Sequence, residues 1–484
     1  MKQLTKILAV LFAKLILLFL LFGSNSITAQ QKSTSVRISN KGKTSISVSN
    51  PFGKNFSVEY EGEIKLSEDD KDIAYISPGG YMEIKRSAFG SRRRIFIEPD
   101  DSGRLIKKYY VGSSQKSFEG EGEKWLAEIL LDVVRTTTLG SQQRVDRIYK
   151  KRGAYGVLKE VGYMDSNHVK SRYLKLLLKK NLKNPDIALV LKAIENDVDS
   201  DYHRADILKS NTSRFLSTEA NISAYINAAS QIDSDHHKAE VLKQSIKERD
   251  LTENQMKSML VVAKDIDSDH HKSSVLLTAL KSNSLNDSNI KLLASTSKSI
   301  DSDHHRANVL KTAINNSNLP SSGQHTFLNA LEGMSSDYHI DDVLSKMVNK
   351  GSLESSAISH VIKCVGYMDS DSHQANVLKK LVQKQQLSDS NTEDFVSALG
   401  RVSSDSHTAD VLRYASKLNL NDKQLMAMFE AIRRIDSDHH KADSLVRFAD
   451  QVSQSGTSIQ EAYLNTCRSI NSDSHYRRAL DAIQ

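Results

Sequence analysis

The sequence IDSDHHKAEVLKQSIK, at Ile232–Lys247, is repeated twice more with few changes. It returns as IDSDHHKSSVLLTALK at Ile266–Lys281 and as IDSDHHRANVLKTAIN at Ile300–Asn315. The spacing of 34 residues lies within the range of about 20–50 residues that is typical of solenoids and repeat arrays. The sequence therefore predicts a stack of similar units, one for each copy.

Ten copies of the pattern D-S-D-x-H-x-A-x-V-L follow one another along the chain, 34 residues apart except for single steps of 33 and 35. In the copy at Asp233, Val241 and Leu242 begin one apolar helical face, and a second helical pattern covers 253–265 after a polar turn. Residues 165–484 are thus predicted to form an all-α solenoid of about ten helical hairpins, similar to HEAT or TPR repeats. The copies begin at Asp165, Asp199, Asp233, Asp267, Asp301, Ser335, Asp369, Ser403, Asp436 and Asn471.

The second and third positions of the motif have the chemistry of a helix start. Serine occupies the second position in all ten copies, and aspartate occupies the third in nine. Such side chains accept hydrogen bonds from the free N–H groups of a first helical turn, and an acid there complements the helix dipole. We therefore expect structural caps, represented by Ser200, Asp201, Ser234, Asp235, Ser268, Asp269, Ser302 and Asp303.

The fifth position is a histidine in nine copies and Val169 in the first. Because a valine replaces it once, we interpret the position as a packed ladder rather than as an obligatory ligand. The alternative is a zinc or copper protein that uses this histidine edge. Positions three and five lie about 200° apart on a helix, so one repeat cannot close a ligand set. We therefore predict no metal site and no cofactor, and the candidates for the alternative are His203, His237, His271, His305, His339, His373, His407, His440 and His475.

The N-terminus has the pattern of an export signal. Lys2 and Lys6 precede an apolar run over 7–22, and the small residues SITA end at Ala29. Residues 1–29 are predicted to be a cleaved signal peptide, the alternative being a retained anchor. The chain would then be exported, to the periplasm or outside a bacterial cell, with no membrane span in the mature protein. The Ser/Thr-rich residues 30–54 are predicted to be a flexible leader.

Residues 55–118 have the texture of an antiparallel β-domain. FSVEYEGEIKL alternates apolar and polar residues from Phe56, and turn sequences such as Pro-Gly-Gly at 78–80 separate the runs. This pattern predicts about five or six strands. A helical period begins near Trp125, so residues 119–164 are predicted to be linking helices. The fold class is α+β, with the small β-domain preceding the solenoid.

Several functional classes are disfavoured by composition and motifs. The net charge is +7, or about +4 without the predicted signal, too small to indicate a nucleic-acid partner. Metallopeptidase, P-loop and G-x-S-x-G motifs are absent from the sequence, so we predict no enzyme. Cys364 and Cys467 lie three repeats apart and are expected to be unpaired core residues.

Three stretches together resemble a known bacterial module. They are YISPGGYMEIKRS at 75–87, RRRIFIEPDDSGRLIKKYYVG at 92–112, and the long segment that begins GEKWLAEILLDVV at 122 and ends GYMDS at 166. With the repeats, they are similar to uncharacterised exported proteins and to regions appended to membrane-embedded zinc metallopeptidases of the β-lactam-sensor type. The peptidase's zinc motif is missing here. The resemblance implies an extracytoplasmic sensing or scaffolding module.

The sequence thus favours an exported, non-enzymatic protein that binds a protein or peptide along its solenoid, because such stacks present long concave faces. The metal-binding alternative uses the histidine edge.

Overall fold

The computed structural model describes residues 33–38, 43–49, 55–88, 90–248, 251–282, 286–316 and 321–484. The predicted signal peptide, 1–29, lies outside them. The chain forms two compact units, Met1–Lys179 and Lys180–Gln484. A small antiparallel β region is followed by helices in a repeating all-α arrangement, as the sequence predicted. The unit boundary falls after the first motif helix, so that copy belongs to the N-terminal unit.

The β region contains a seven-stranded antiparallel sheet in the order β1-β2-β3-β6-β7-β8-β9 and a two-stranded sheet, β4-β5. The strands are β1 Ser33–Ile38, β2 Thr44–Ser49, β3 Asn55–Glu61, β4 Ile64–Leu66, β5 Ile73–Ile76, β6 Tyr81–Ala88, β7 Ser91–Pro99, β8 Leu105–Val111 and β9 Ser114–Lys116.

The prediction of a flexible leader over 30–54 is wrong where β1 and β2 form. In β2, Thr44, Ile46 and Val48 are buried while the intervening residues are more exposed. This is the period-two alternation of a strand with one covered face. The apolar side of the strand is short, and the many serines and threonines around it gave the composition of a loose segment.

One face of the large sheet is covered by the helix Glu123–Thr136. A row of cross-strand partners, Ile46, Val58, Ile84, Ile95 and Tyr109, lies in the core of this unit. The helix contributes Trp125, Leu126, Ile129, Leu130 and Val133 to the same core. The first of the predicted linking helices is therefore an integral layer of the β region, because its apolar face completes the burial of the sheet.

The next helix, Ser141–Val161, changes direction at Gly153, whose φ of 63° is a conformation that favours glycine. Arg144 of this helix is almost fully buried within the N-terminal unit. Its guanidinium donates to Asp70 at 2.8 Å, to Glu160 at 3.0 Å and to the Tyr173 hydroxyl at 2.8 Å. These bonds satisfy the buried charge and fix the β4–β5 turn against the helices.

Each hairpin of the repeat pairs a motif helix, which begins at the D-S-D sequence, with a return helix. The motif helices are Asn167–Leu178, Asp201–Ser210, Asp235–Glu248, Asp269–Leu280, Asp303–Asn316, Asp337–Lys350, Asp371–Lys384, Asp405–Ala415, Asp438–Ser453 and Asp473–Asp481. The return helices are Asn184–Asp197, Glu219–Ser230, Glu253–Lys264, Asp287–Ser297, Ser321–Asn329, Ser355–Val365, Asp389–Leu399, Asp422–Arg433 and Thr457–Cys467; a single turn, Thr212–Phe215, also occurs.

In the C-terminal unit, successive motif helices pack on one another and successive return helices do the same. The result is two helical layers with an apolar interior between them, where residues such as Val275, Leu276 and Leu293 are fully buried. Cys364 and Cys467 are both unpaired and buried, and burial raises the pKa of each thiol to about 12. Over the described residues, none of the helices has the length and hydropathy required to cross a bilayer.

Candidate functional site: the repeat edge

The third-position aspartate binds the neighbouring repeat. Asp269 accepts the backbone N–H of Ser302 at 2.7 Å and that of Asp301 at 3.1 Å. Eight aspartates repeat the bond to the next motif serine with distances of 2.7–2.9 Å: Asp201 to Ser234, Asp235 to Ser268, Asp269 to Ser302, Asp303 to Ser336, Asp337 to Ser370, Asp371 to Ser404, Asp405 to Ser437 and Asp438 to Ser472.

These bonds give the acid a role that the capping interpretation did not include. Asp201, Asp235, Asp269 and Asp303 are each the first residue of a motif helix, where a carboxylate is favoured by the helix dipole. Their oxygens, however, satisfy the turn of the following hairpin. Bonds from N–H groups to an ionised carboxylate are roughly twice as strong as neutral ones. The motif therefore joins adjacent repeats as well as starting a helix.

The second-position serine stands at the N-cap. In six copies its hydroxyl oxygen accepts the backbone N–H of the fifth-position histidine at 3.4–3.5 Å, which is long for a hydrogen bond. Ser336, Ser370 and Ser472 make no such side-chain cap. The serine caps at Ser200, Ser234, Ser268 and Ser302 are thus present but weak, and the backbone N–H of the serine makes the shorter contact.

The sixth position holds a buried cation in several copies, a feature that sequence reasoning missed. Lys272 is only 5% exposed, and its ammonium donates to the Ser299 carbonyl at 2.9 Å. Lys441 does the same with Ser469 at 3.1 Å, and Arg306 with Glu332 at 3.1 Å. Each carbonyl lies just beyond the return helix of the same hairpin. A positive charge there satisfies a helix C-terminus.

Positions four and five of successive repeats build a continuous row of rings, which we call the ring strip. Each fourth-position ring contacts the histidine beside it and the fifth-position histidine of the next repeat, with centroids 5.1–6.2 Å apart and planes at 60–78°. The strip contains Tyr202, His203, His236, His237, His270, His271, His304, His305, Tyr338, His339 and His373. Edge-to-face packing of this kind is favourable for aromatic rings.

Serine replaces the fourth-position ring at Ser372 and Ser406, and the ring strip ends there. A shorter segment follows at His439, His440 and His475. Fourth-position rings are exposed and fifth-position histidines are half-buried. The doubled histidines touch edge to face and alternate along one surface.

The half-buried setting of the fifth position has an electrostatic consequence at His271. Burial lowers the pKa of its imidazole, and the neighbouring His270 and His236 lower it further, against the opposing effect of Asp235. In the N-terminal unit, Val169 occupies the equivalent position and is fully buried. At His271, the uncharged ring is thus the favoured form.

Eight of the nine candidate metal ligands lie in the ring strip or in its shorter C-terminal segment, and His407 falls between the two. Within the described ranges, no group of three or more His, Cys, Asp or Glu side chains is arranged to hold a metal ion. Neighbouring imidazoles nevertheless approach one another between repeats, as a site would require.

Comparison with known proteins gives no family. No protein-family description and no curated protein matches the chain. Among solved structures, it is similar to a chain from "Computational Design of Self-Assembling Cyclic Protein Homooligomers", with 10% identity over 71% of this chain and 92% of that one and a TM-score of 0.11. A chain from "Crystal Structure of the Chs5-Bch1 Exomer Cargo Adaptor Complex" shares 10% identity over 85% and 84%, with a TM-score of 0.14. Likeness at this level carries no conclusion about function.

Proposed function

We propose that this protein is an exported, non-enzymatic scaffold or sensing module that binds a protein or peptide along the ring strip. The observation that carries the proposal is the exposure of the fourth-position rings in an unbroken row. Tyr202 and Tyr338 are 60% and 62% exposed, and the fourth-position imidazoles between them are exposed as well. Rings with an apolar body and a polar tip are favoured at protein interfaces.

Carboxylates beside the ring strip indicate which kind of peptide it would bind. The first motif position is an exposed aspartate in most repeats, including Asp233, Asp267 and Asp301. Equivalent residues of stacked helices are about 8–10 Å apart. A row of rings flanked by carboxylates at this interval suits an extended peptide that carries basic side chains. The basic side chains of such a peptide would lie against aspartates along the whole contact. Complementary charges of this kind favour fast and selective association.

A displayed random-peptide library, selected on the purified chain without residues 1–29, tests the proposal. We expect enriched peptides to be basic and to bind at least 10-fold more weakly to a variant that combines His270→Ser with His304→Ser. Serine occurs naturally at this position, at Ser372, so the fold should tolerate it. Val261→Ser, on an exposed return-helix position, is the matched control. Peptides that bind both variants equally would refute the ring strip as the binding surface.

Metal binding by the repeat edge is the second candidate function. It is favoured by one observation, the contact between imidazoles of adjacent repeats, such as His236 with His271 at 5.4 Å between centroids. A zinc or copper ion bound there would be coordinated by histidines from two neighbouring repeats. Titration with Zn²⁺ of the double variant His270→Ser/His304→Ser and of the Val261→Ser control separates the two candidate functions. If the repeat edge binds metal, the affinity for Zn²⁺ falls in the double variant, whether or not the protein also binds a peptide.

A further inference from the structure

We propose that His325 and His360 form a chelating pair for one exchangeable divalent transition-metal ion, Cu²⁺, Ni²⁺ or Zn²⁺. The pair lies on two neighbouring return helices, Ser321–Asn329 and Ser355–Val365, and is not part of the motif or the ring strip. The proposal is independent of the peptide-binding function. It rests on the geometry of the two rings and of the cavity that they line.

The two Nδ1 atoms are 3.1 Å apart, and the rings are stacked with planes at 28° and centroids at 5.4 Å. Imidazole nitrogens bind zinc at about 2.0–2.1 Å. With bonds of this length and an N–metal–N angle of about 90–110°, the two nitrogens lie roughly 2.9–3.4 Å apart. The observed separation of 3.1 Å falls within that interval. Both ligands are therefore already at the spacing that a cis pair of metal bonds requires.

The contacts of the two rings are compatible with a tautomer that suits a metal. Nε2 of His325 is 3.1 Å from the Ser356 hydroxyl oxygen, to which an Nε2–H can donate. In that tautomer, Nδ1 of His325 carries the lone pair, and the 3.1 Å contact allows His360 to donate its own Nδ1–H to it. A metal ion displaces this hydrogen bond when the His360 proton moves to Nε2, so the neutral pair gains an ion without net proton release. A hydrogen bond to the outer ring nitrogen is typical of histidine ligands.

The surroundings leave coordination positions open. The pair opens into a cavity of about 480 Å³ that also contains Asp394, Lys363 and Arg401. The Asp394 carboxylate accepts the Ser359 hydroxyl at 2.5 Å. The negative charge of Asp394 offsets part of the positive charge of Lys363 and Arg401. The remaining positive charge would attract a small anion, which could then bind the metal ion.

Only two protein nitrogens are supplied, since the described residues contain no metal-holding group of three or more ligands. Water or an exogenous anion must complete the coordination shell. The ion should therefore exchange readily, in contrast to a closed structural site with four protein ligands.

Calorimetric titration of the full chain with Zn²⁺, repeated with Cu²⁺, tests the proposal. We expect one equivalent whose affinity falls at least 10-fold in His360→Gln and in His325→Gln. The ring-strip variant His304→Gln is the matched control and should keep that equivalent. Circular dichroism establishes that each variant is folded. If one of the two variants, His360→Gln or His325→Gln, does not fold, the affinity of the other variant decides the test. Ser356→Ala should weaken metal binding by a smaller factor than either of them. Unchanged affinity in the pair variants, loss of the equivalent in His304→Gln, or no binding at all would overturn the proposal.

Discussion

The carboxylate of Asp269 holds the backbone N–H groups of Ser302 and Asp301 at 2.7 and 3.1 Å, and so links one helical hairpin to the next. The same relation recurs along the C-terminal unit. A solenoid is stabilised by each repeat and by each interface between neighbours. Asp269 stabilises mainly the interface between neighbouring repeats. Within its own helix, it contributes only the favourable interaction of its carboxylate with the helix dipole.

Removing this link should destabilise the stack. We expect Asp269→Ala to cost about 1.5–3 kcal/mol, the usual range for hydrogen bonds to a charged group. Ser268→Ala should cost less, about 0.5–1 kcal/mol, at the low end of the range for helix caps, because its contact with the His271 N–H is 3.5 Å long. Urea denaturation of the two variants measures both values. Equal costs, or a greater cost for the serine, would contradict this assignment of roles.

The buried lysine at the sixth position should also contribute to stability. Lys272→Met keeps the apolar stem but leaves the Ser299 carbonyl without its 2.9 Å donor. We expect a loss of about 1–3 kcal/mol in the free energy of unfolding, the cost of an unsatisfied buried polar group. Lys281→Met, at an exposed position, is the control and should be nearly neutral. A neutral effect at both positions would mean that the carbonyl finds water instead.

Acid should weaken the fold through His271. Because its pKa in the folded state is lowered by burial and by neighbouring histidines, protonation favours the unfolded chain. Stability is complete above the unfolded pKa of about 6.5 and is lost as the pH falls below it. Thermal melts at pH 7.5 and 5.5 should show a lower midpoint in acid, and a smaller difference in His271→Val. Stabilisation by acid would mean that Asp235 and other carboxylates dominate instead.

After dialysis, we expect fewer than one tightly held Zn²⁺, Cu²⁺ or Ni²⁺ per chain. Two imidazoles at a time, whether in the ring strip or at His325 and His360, leave the ion exposed to exchange. Elemental analysis of the dialysed protein measures the content. Several retained equivalents, together with loss of helicity on chelation, would favour the metal-binding function over the peptide-binding one.

The repeating fold could be predicted because its signals are local. The serine at each helix start and the apolar spacing around Val275 lie within one copy, and the 34-residue period follows from aligning the copies with one another. What could not be predicted depends on contacts between residues that are far apart in the chain. The partner of Asp269 lies in the next repeat, and the carbonyl bound by Lys272 lies 27 residues further along the chain. A lysine or arginine recurring at one register was the available signal for the second contact.

The paired histidines at 325 and 360 were missed for a related reason. They are 35 residues apart and belong to return helices, whose sequences vary more than the motif, so only the stacking of helices brings them together. The strands β1 and β2 were missed because polar residues outnumber apolar ones in their sequences. In both cases, tertiary packing decides what a short segment becomes.

Amide hydrogen exchange at Ser302 tests the link between repeats most directly, because it reports the bond itself. In the wild-type protein, we predict that the Ser302 N–H is protected, since it opens only with the hairpin interface. In Asp269→Ala, that amide should exchange at least 10-fold faster, while an amide inside the next helix, such as that of Leu310, keeps its protection. A Ser302 amide that exchanges like a free turn in the wild type, or that stays protected in Asp269→Ala, would contradict the account.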